Sequence, residues 1–114
     1  MTALGVAALG ALGAVLRHLV GHWSARGGGW PRGTAAVNVT GSLLAGLLVG
    51  SRIGNPWDVV LIAGFCGGYT TFSTWSVEVV ELAEEPARAL ALAYGGGTAL
   101  ACVLAAWLGI VLVS

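Results

Sequence analysis

Gly64-Phe65-Cys66-Gly67-Gly68-Tyr69-Thr70-Thr71-Phe72-Ser73-Thr74-Trp75-Ser76-Val77-Glu78 packs glycines, hydroxyls and aromatic rings into one run of an otherwise apolar chain. Two glycines followed by two β-branched threonines make a poor continuous helix. A helix through this stretch is therefore expected to break near Gly67–Thr71. At membrane depth an irregular backbone survives only where protein buries it or where it lines a cavity. Its freed carbonyls can then hold a small cation; the alternative is a kink satisfied by hydroxyl back-bonding. Beyond the break, Thr71, Thr74 and Glu78 follow i, i+3, i+7 and share a face. Phe72 and Trp75 are neighbours at i, i+3. Hydroxyls donate hydrogen bonds and aromatic edges carry positive quadrupole charge, so this pattern suits a small anion. Glu78 fits an anion path awkwardly, being near the end of its span, where it reaches water, is protonated or is paired.

Membrane depth follows from the rest of the sequence. Of 114 residues, 57% are hydrophobic and 9% charged, with no lysine, against roughly 25% charged in an average soluble domain. A soluble fold this short needs a polar surface that this composition does not supply. A spanning helix takes about 20 mostly apolar residues, and four windows qualify: Thr2 to His22, Gly33 to Ser51, Trp57 to Leu82 and Ala87 to Val113. Between them lie a Gly-rich loop from Ser24 to Arg32, a turn at Arg52-Ile53-Gly54-Asn55-Pro56, and Glu84-Glu85-Pro86. No basic residue precedes the first window, and the pattern repeats downstream, so it reads as a retained helix and not a signal peptide. The expected fold is all-α, one four-helix transmembrane domain over residues 1–114 in the cell membrane, solvated by lipid.

Trp23, Trp30 and Trp57 fall at span ends, where indoles favour the headgroup level; Trp75 and Trp107 lie inside spans. Gly46-x-x-x-Gly50 and Gly64-x-x-x-Gly68 let helices approach closely, either within the bundle or between two copies. Arg26, Arg32 and Arg88 flank one side and Arg52 the other. The positive-inside rule then places the first and third loops in the cytoplasm, by a margin small enough to leave dual insertion open.

Polar groups at depth are functional candidates, and outside the third span they are few: Asn38, Thr40 and Ser42. Arg17, near the end of the first span, either draws anions toward a vestibule or snorkels to the interface. His18 and His22 have a metal-binding spacing with no third ligand in view, so they read as an interfacial pair. Cys66 and Cys102 lie in apolar runs as small hydrophobes. No catalytic set, phosphate loop or metal-site spacing points to an enzyme. With zero net charge and no basic patch, nothing points to nucleic acid.

These residues resemble the Fluc (CrcB) fluoride channels of bacteria and archaea over essentially the whole chain. Gly13-Ala14-Val15-Leu16-Arg17 is similar to that family's first-helix motif. Gly33-Thr34-Ala35-Ala36-Val37-Asn38-Val39-Thr40-Gly41-Ser42 resembles its second-helix signature, and Gly64 to Glu78 the long third-helix signature. The resemblance implies an antiparallel, dual-topology dimer with two fluoride pathways. It places Asn38, Phe72, Ser73, Thr74, Trp75, Tyr94 and Thr98 along or beside a pathway, with Arg17 and Glu78 as vestibule groups. It also implies that the carbonyls of Gly67 and Thr70 hold a structural Na⁺ between subunits. The implied function is passive efflux of fluoride, which enters cells as HF and is trapped as the anion. Two positions depart from the pattern. Trp75 stands where phenylalanine is usual and Cys102 where serine is common, and some relatives work only as pairs of non-identical subunits. Hence a homodimer is expected, with a heterodimer of similar subunits as the alternative.

Two rivals compete. A small multidrug transporter also has four short helices but needs a buried glutamate in the first, and here the first acidic residue is Asp58. A non-conducting subunit of a hetero-oligomer has no reason to gather hydroxyls and a backbone break at mid-membrane.

Overall fold

The computed structural model describes residues 1–24, 30–84, 86 and 88–114. Arg26 and most of the first loop, together with Glu85 and Ala87, lie outside the described residues. All regular structure described is helical. Helix α1 spans Thr2–Ser24, α2 Arg32–Ser51, α4 Phe72–Glu84 and α5 Arg88–Val113. Helix α3, residues 57–69, joins a short α-helical turn, a π-helical stretch Val60–Cys66 and a last α-helical turn Gly67–Tyr69. The third crossing is therefore two pieces, α3 and α4. Among the described residues, α1, α2 and α5 are the continuous helices long and apolar enough to cross a membrane.

The break falls at one end of the expected window, and glycine is not its cause. Cys66 and Gly67 keep right-handed helical angles, whereas Thr70 is extended at φ −84°, ψ 162°. The threonines explain why. Thr70 donates both its N–H (3.0 Å) and its hydroxyl (2.9 Å) to the Cys66 carbonyl, closing α3. Thr71 then caps α4: its hydroxyl oxygen accepts the Thr74 N–H at 3.2 Å, the hydrogen bond an N-cap residue makes to the third residue of its helix.

The glycines serve close approach instead. A Cβ on Gly68 would collide with the carbonyl of Gly10 in α1, and one on Gly46 with the carbonyl of Ala106 in α5. Gly64 lies against Val6, and a Cβ on Gly50 would come within 2.7 Å of the Ile110 carbonyl oxygen. Both small-xxx-small seams are thus consumed within the chain, α3 on α1 and α2 on α5, and give no support to a second copy. In lipid such contacts hold by van der Waals packing of backbones, because the acyl chains are as apolar as leucine. Accordingly the apolar core is slight: Val37 is 1% exposed, with Val60, Cys66, Ala91 and Tyr94 also buried. Leucines and valines of α1 and α5 face outward, toward lipid. Between α2 and α3, Arg52 adopts left-handed angles (φ 51°) and its N–H returns to the Val49 carbonyl; its cation also suits the negative end of the helix dipole.

Candidate functional site

The discontinuity leaves peptide groups at Thr70 and Thr71 with no helical partner, and side chains from other helices supply them. Asn38 of α2 donates Nδ2–H to the Thr71 carbonyl (2.9 Å) and accepts the Thr71 N–H on Oδ1 (2.7 Å). The side-chain amide thus pairs with this residue as a neighbouring strand would, and the two bonds together fix which way it points. Arg17 of α1 donates Nη1–H to the Thr70 carbonyl at 3.0 Å. The resemblance placed Asn38 along or beside an anion pathway and Arg17 at a vestibule. Here both first secure the break, and each still lines a cavity.

Two cavities flank the break, and Thr71, itself buried, belongs to the walls of both. The outer one, about 410 Å³, is lined by Arg17, His18 and His22 of α1, Thr34 of α2, and Thr74 and Glu78 of α4. The shared face expected for Thr71, Thr74 and Glu78 is present, and Thr71 donates its hydroxyl to Thr74 Oγ1 at 3.1 Å. Glu78 is fully engaged. Thr34 donates to Oε1 at 2.8 Å and the Tyr94 hydroxyl to Oε2 at 2.7 Å, while the Trp30 ring meets Tyr94 edge-on at 5.9 Å. Tyr94 therefore acts on the carboxylate and does not line the inner cavity, although Thr98, one turn further along α5, does. The two histidines are exposed, and no cluster of three or more His, Cys, Asp or Glu suited to a metal occurs among the described residues.

The inner cavity, about 270 Å³, lies between the break and α5 and has no charged side chain in its wall. Asn38, Ser42, Phe72, Trp75, Thr98 and Cys102 contribute to it. Phe72 is 77% exposed and tilts against Trp75, ring centroids 5.3 Å apart. The hydroxyls of Ser42 and Thr98 have no hydrogen-bond partner among the described residues, and the Trp75 Nε1–H is buried without one. A buried donor left unpaired costs about 1–3 kcal/mol, a cost that falls on the Trp75 N–H, while the Ser42 and Thr98 hydroxyls stand in the cavity wall as donors available to an acceptor. Ser73 reaches neither cavity; its hydroxyl lies 3.4 Å from that of Thr71. Thr40 returns its hydrogen bond to its own helix at the Ala36 carbonyl.

Sequence reasoning passed over Thr34 and named Ser42 as a polar group at depth without assigning it to a pathway. A threonine one turn before Asn38, and a serine one turn after it, share its helix face, and that spacing was the available signal.

An all-helical, multi-pass membrane protein whose third crossing is broken, with a charged outer cavity and a neutral inner one, is the class defined by this architecture. Comparison with known proteins narrows it. Residues 4–110 match the model of the CrcB-like protein family, Camphor Resistance (CrcB), and the chain belongs to that family. It is 46% identical to fluoride-specific ion channel FluC 2 of Natronomonas pharaonis over 112 residues, covering 98% of this chain and 94% of that one. Fluoride-specific ion channel FluC 1 of Symbiobacterium thermophilum is 46% identical, with 96% and 93% covered. FluC 2 of Rhodococcus jostii is 41% identical over the full length of both chains.

Proposed function

We propose that this chain forms a fluoride-selective channel that releases cytoplasmic fluoride by passive flux. The observation that carries the reading is the inner cavity, where neutral donors without partners meet an aromatic edge and no fixed charge. Fluoride is small and strongly hydrated, so it enters only where close donors replace its water. Hydroxyls do so without a cation that would trap the ion. The names of the relatives support the same ion. The activity is transport and not catalysis, carried by one four-helix domain over residues 1–114.

The working unit is an antiparallel homodimer in the cell membrane, with a structural Na⁺ at the interface. The residues fit such an ion. Thr71 gives its N–H to Asn38, not to the Gly67 carbonyl that a continuous helix would offer, which leaves Gly67 an acceptor. The Thr70 carbonyl has a second lone pair beyond the one used by Arg17. Gly67 and Thr70 of one chain make half a site for a hard cation, and a second copy supplies the rest. The ion, when bound, joins the two breaks by electrostatics alone. Asn38, Phe72, Ser73, Thr74, Trp75, Tyr94 and Thr98 lie along or beside the path in this reading, with Arg17 and Glu78 at its vestibule.

The test is ion efflux from liposomes reconstituted with this chain alone. Fluoride flux is expected to exceed chloride flux by about 100-fold or more, the equivalent of about 2.7 kcal/mol of discrimination. Chloride flux comparable to fluoride flux overturns the assignment. If the chain alone is silent and conducts once co-reconstituted with a similar subunit, the heterodimer replaces the homodimer.

A further inference from the structure

Helix α1 sets Ala14, Arg17, His18, Gly21 and His22 into the wall of the outer cavity, the i, i+3, i+4, i+7, i+8 spacing of one helix face. His18 and His22 stand one turn apart on that face, so their Cβ atoms are about 5–6 Å from each other. Gly21 beside them has no side chain, and a Cβ there would meet nothing within 4 Å. The space around the two rings is open. Both imidazoles are exposed, and neither has a hydrogen-bond partner among the described residues. Each neutral ring therefore keeps a free acceptor nitrogen. The charged groups of the same wall are engaged elsewhere, Arg17 on the Thr70 carbonyl and Glu78 on Thr34 and Tyr94.

We propose that His18 and His22 together bind one divalent transition-metal ion of the Zn²⁺ class in the outer cavity, and that the bound ion makes this mouth more attractive to anions. The metal site stands on the histidine geometry alone, whereas its effect on flux rests on the fluoride-channel reading. Two histidines at i, i+4 on one helix face reach a single Zn²⁺, each at about 2.0–2.1 Å. Imidazole suits Zn²⁺, Cu²⁺ and Ni²⁺, while Mg²⁺ and Ca²⁺ take oxygen ligands. Two protein ligands leave the rest of the coordination to water. At about 30 Å³ each, two waters fit with room to spare in a cavity of about 410 Å³, so the hydrated ion does not plug it. His22 lies in the last turn of α1, where the negative end of the helix dipole favours a cation. Held there, the ion adds two positive charges to a wall in which Arg17 and Glu78 otherwise offset each other. A cleft with one dominant sign of charge concentrates ions of the other.

The test titrates Zn²⁺ into the full chain in detergent, first stripped of metal by a chelator. Wild type, His18→Ala, His22→Ala and the double variant are compared by calorimetry. Both rings are exposed, so the metal-free variants are expected to melt like wild type. The expected result is one ion per chain in wild type and binding about tenfold weaker or worse in either single variant. The double variant should lose little more, because one shared site is already broken. Two independent weak sites, each lost with its own histidine, overturn the metal site. So does Zn²⁺ binding that keeps wild-type affinity in the double variant, and so does no binding at all. Fluoride efflux from liposomes at low ionic strength is then expected to run about twofold to fivefold faster with Zn²⁺ in wild type, and not in the double variant. Flux that is unchanged or slower while Zn²⁺ binds overturns the effect on the mouth and leaves the metal site. A chain that binds Zn²⁺ as expected yet passes no fluoride with or without it overturns the channel reading, and the effect on flux with it.

Discussion

The two cavities that share Thr71 are built on opposite rules. The outer one carries Arg17, two imidazoles and Glu78, and its main charged groups are tied down: the guanidinium to the Thr70 carbonyl, the carboxylate between Thr34 and Tyr94. The inner one has no charged wall group and keeps unpaired donors. The difference follows from what each environment permits. A charge at a wet mouth is screened and cheap to keep, and its field still gathers ions of opposite sign. A charge at mid-membrane is costly and would hold a counter-ion too tightly to let it leave. Neutral donors deep inside replace hydration without a trap. In the channel we propose, the outer cavity collects and the inner one selects.

The wall between them is where this division is easiest to break. Asn38 holds the Thr71 peptide through one donor and one acceptor. In Asn38→Asp the donor is gone, and a carboxylate faces both the Thr71 carbonyl and the inner cavity. Fluoride flux is expected to fall by about 100-fold or more, from lost peptide pairing and repulsion of the anion. Size exclusion should still report an assembled protein. A variant that conducts normally removes Asn38 from both roles.

Much of this was legible in the residues, and what was not has physical causes. Four spans, their ends and a broken third helix follow from apolar window lengths and from Gly-Gly-x-Thr-Thr, since lipid leaves backbone groups no partner but the chain itself. The break falls inside its expected window, at Thr70 and Thr71. Helix propensity blames Gly67 and Gly68, yet close packing on Gly10 keeps the second of them inside a helix, and the capping hydroxyl of Thr71 decides the end. Propensity is local; capping and packing are not. The small-xxx-small seams were ambiguous for the same reason, because spacing does not say which backbone approaches. The pairing of Asn38 with Thr71, 33 residues apart, and of Tyr94 with Glu78 needs tertiary structure. Trp75 was visible as an oddity, but only the fold shows its N–H without a partner.

A second way to sharpen the comparison is to loosen the break without altering either wall. If Gly67 and Thr70 of two chains enclose Na⁺, that ion stabilises the dimer by mass action, about 2.7 kcal/mol at a hundredfold excess over its dissociation constant. Exchanging Na⁺ for N-methylglucamine is expected to lower the dimer's melting temperature by about 5 °C or more. Re-adding Na⁺ at constant ionic strength should restore it. An unchanged melting temperature and flux leave Arg17 and Asn38 as sufficient support for the break.

The smallest effect, and the one that separates collecting from selecting, belongs to Arg17. Its guanidinium lines the outer cavity and also holds the Thr70 carbonyl, so removing it mixes a field effect with a structural one. Two variants separate them. Arg17→Lys keeps the charge as a point ammonium but loses the planar fork, whereas Arg17→Gln keeps an N–H donor and loses the charge. If the field is what collects fluoride, Arg17→Gln slows flux by about threefold to tenfold at low ionic strength, and the deficit shrinks as an impermeant salt screens the mouth. Arg17→Lys should then follow wild type across the same salt series. Selectivity over chloride should be unchanged in both, because the donors that choose the ion lie beyond Thr71. If Arg17→Lys is as slow as Arg17→Gln, with no salt dependence, the fork on Thr70 is the whole of the residue's contribution. The outer cavity would then be an entrance with no attraction of its own.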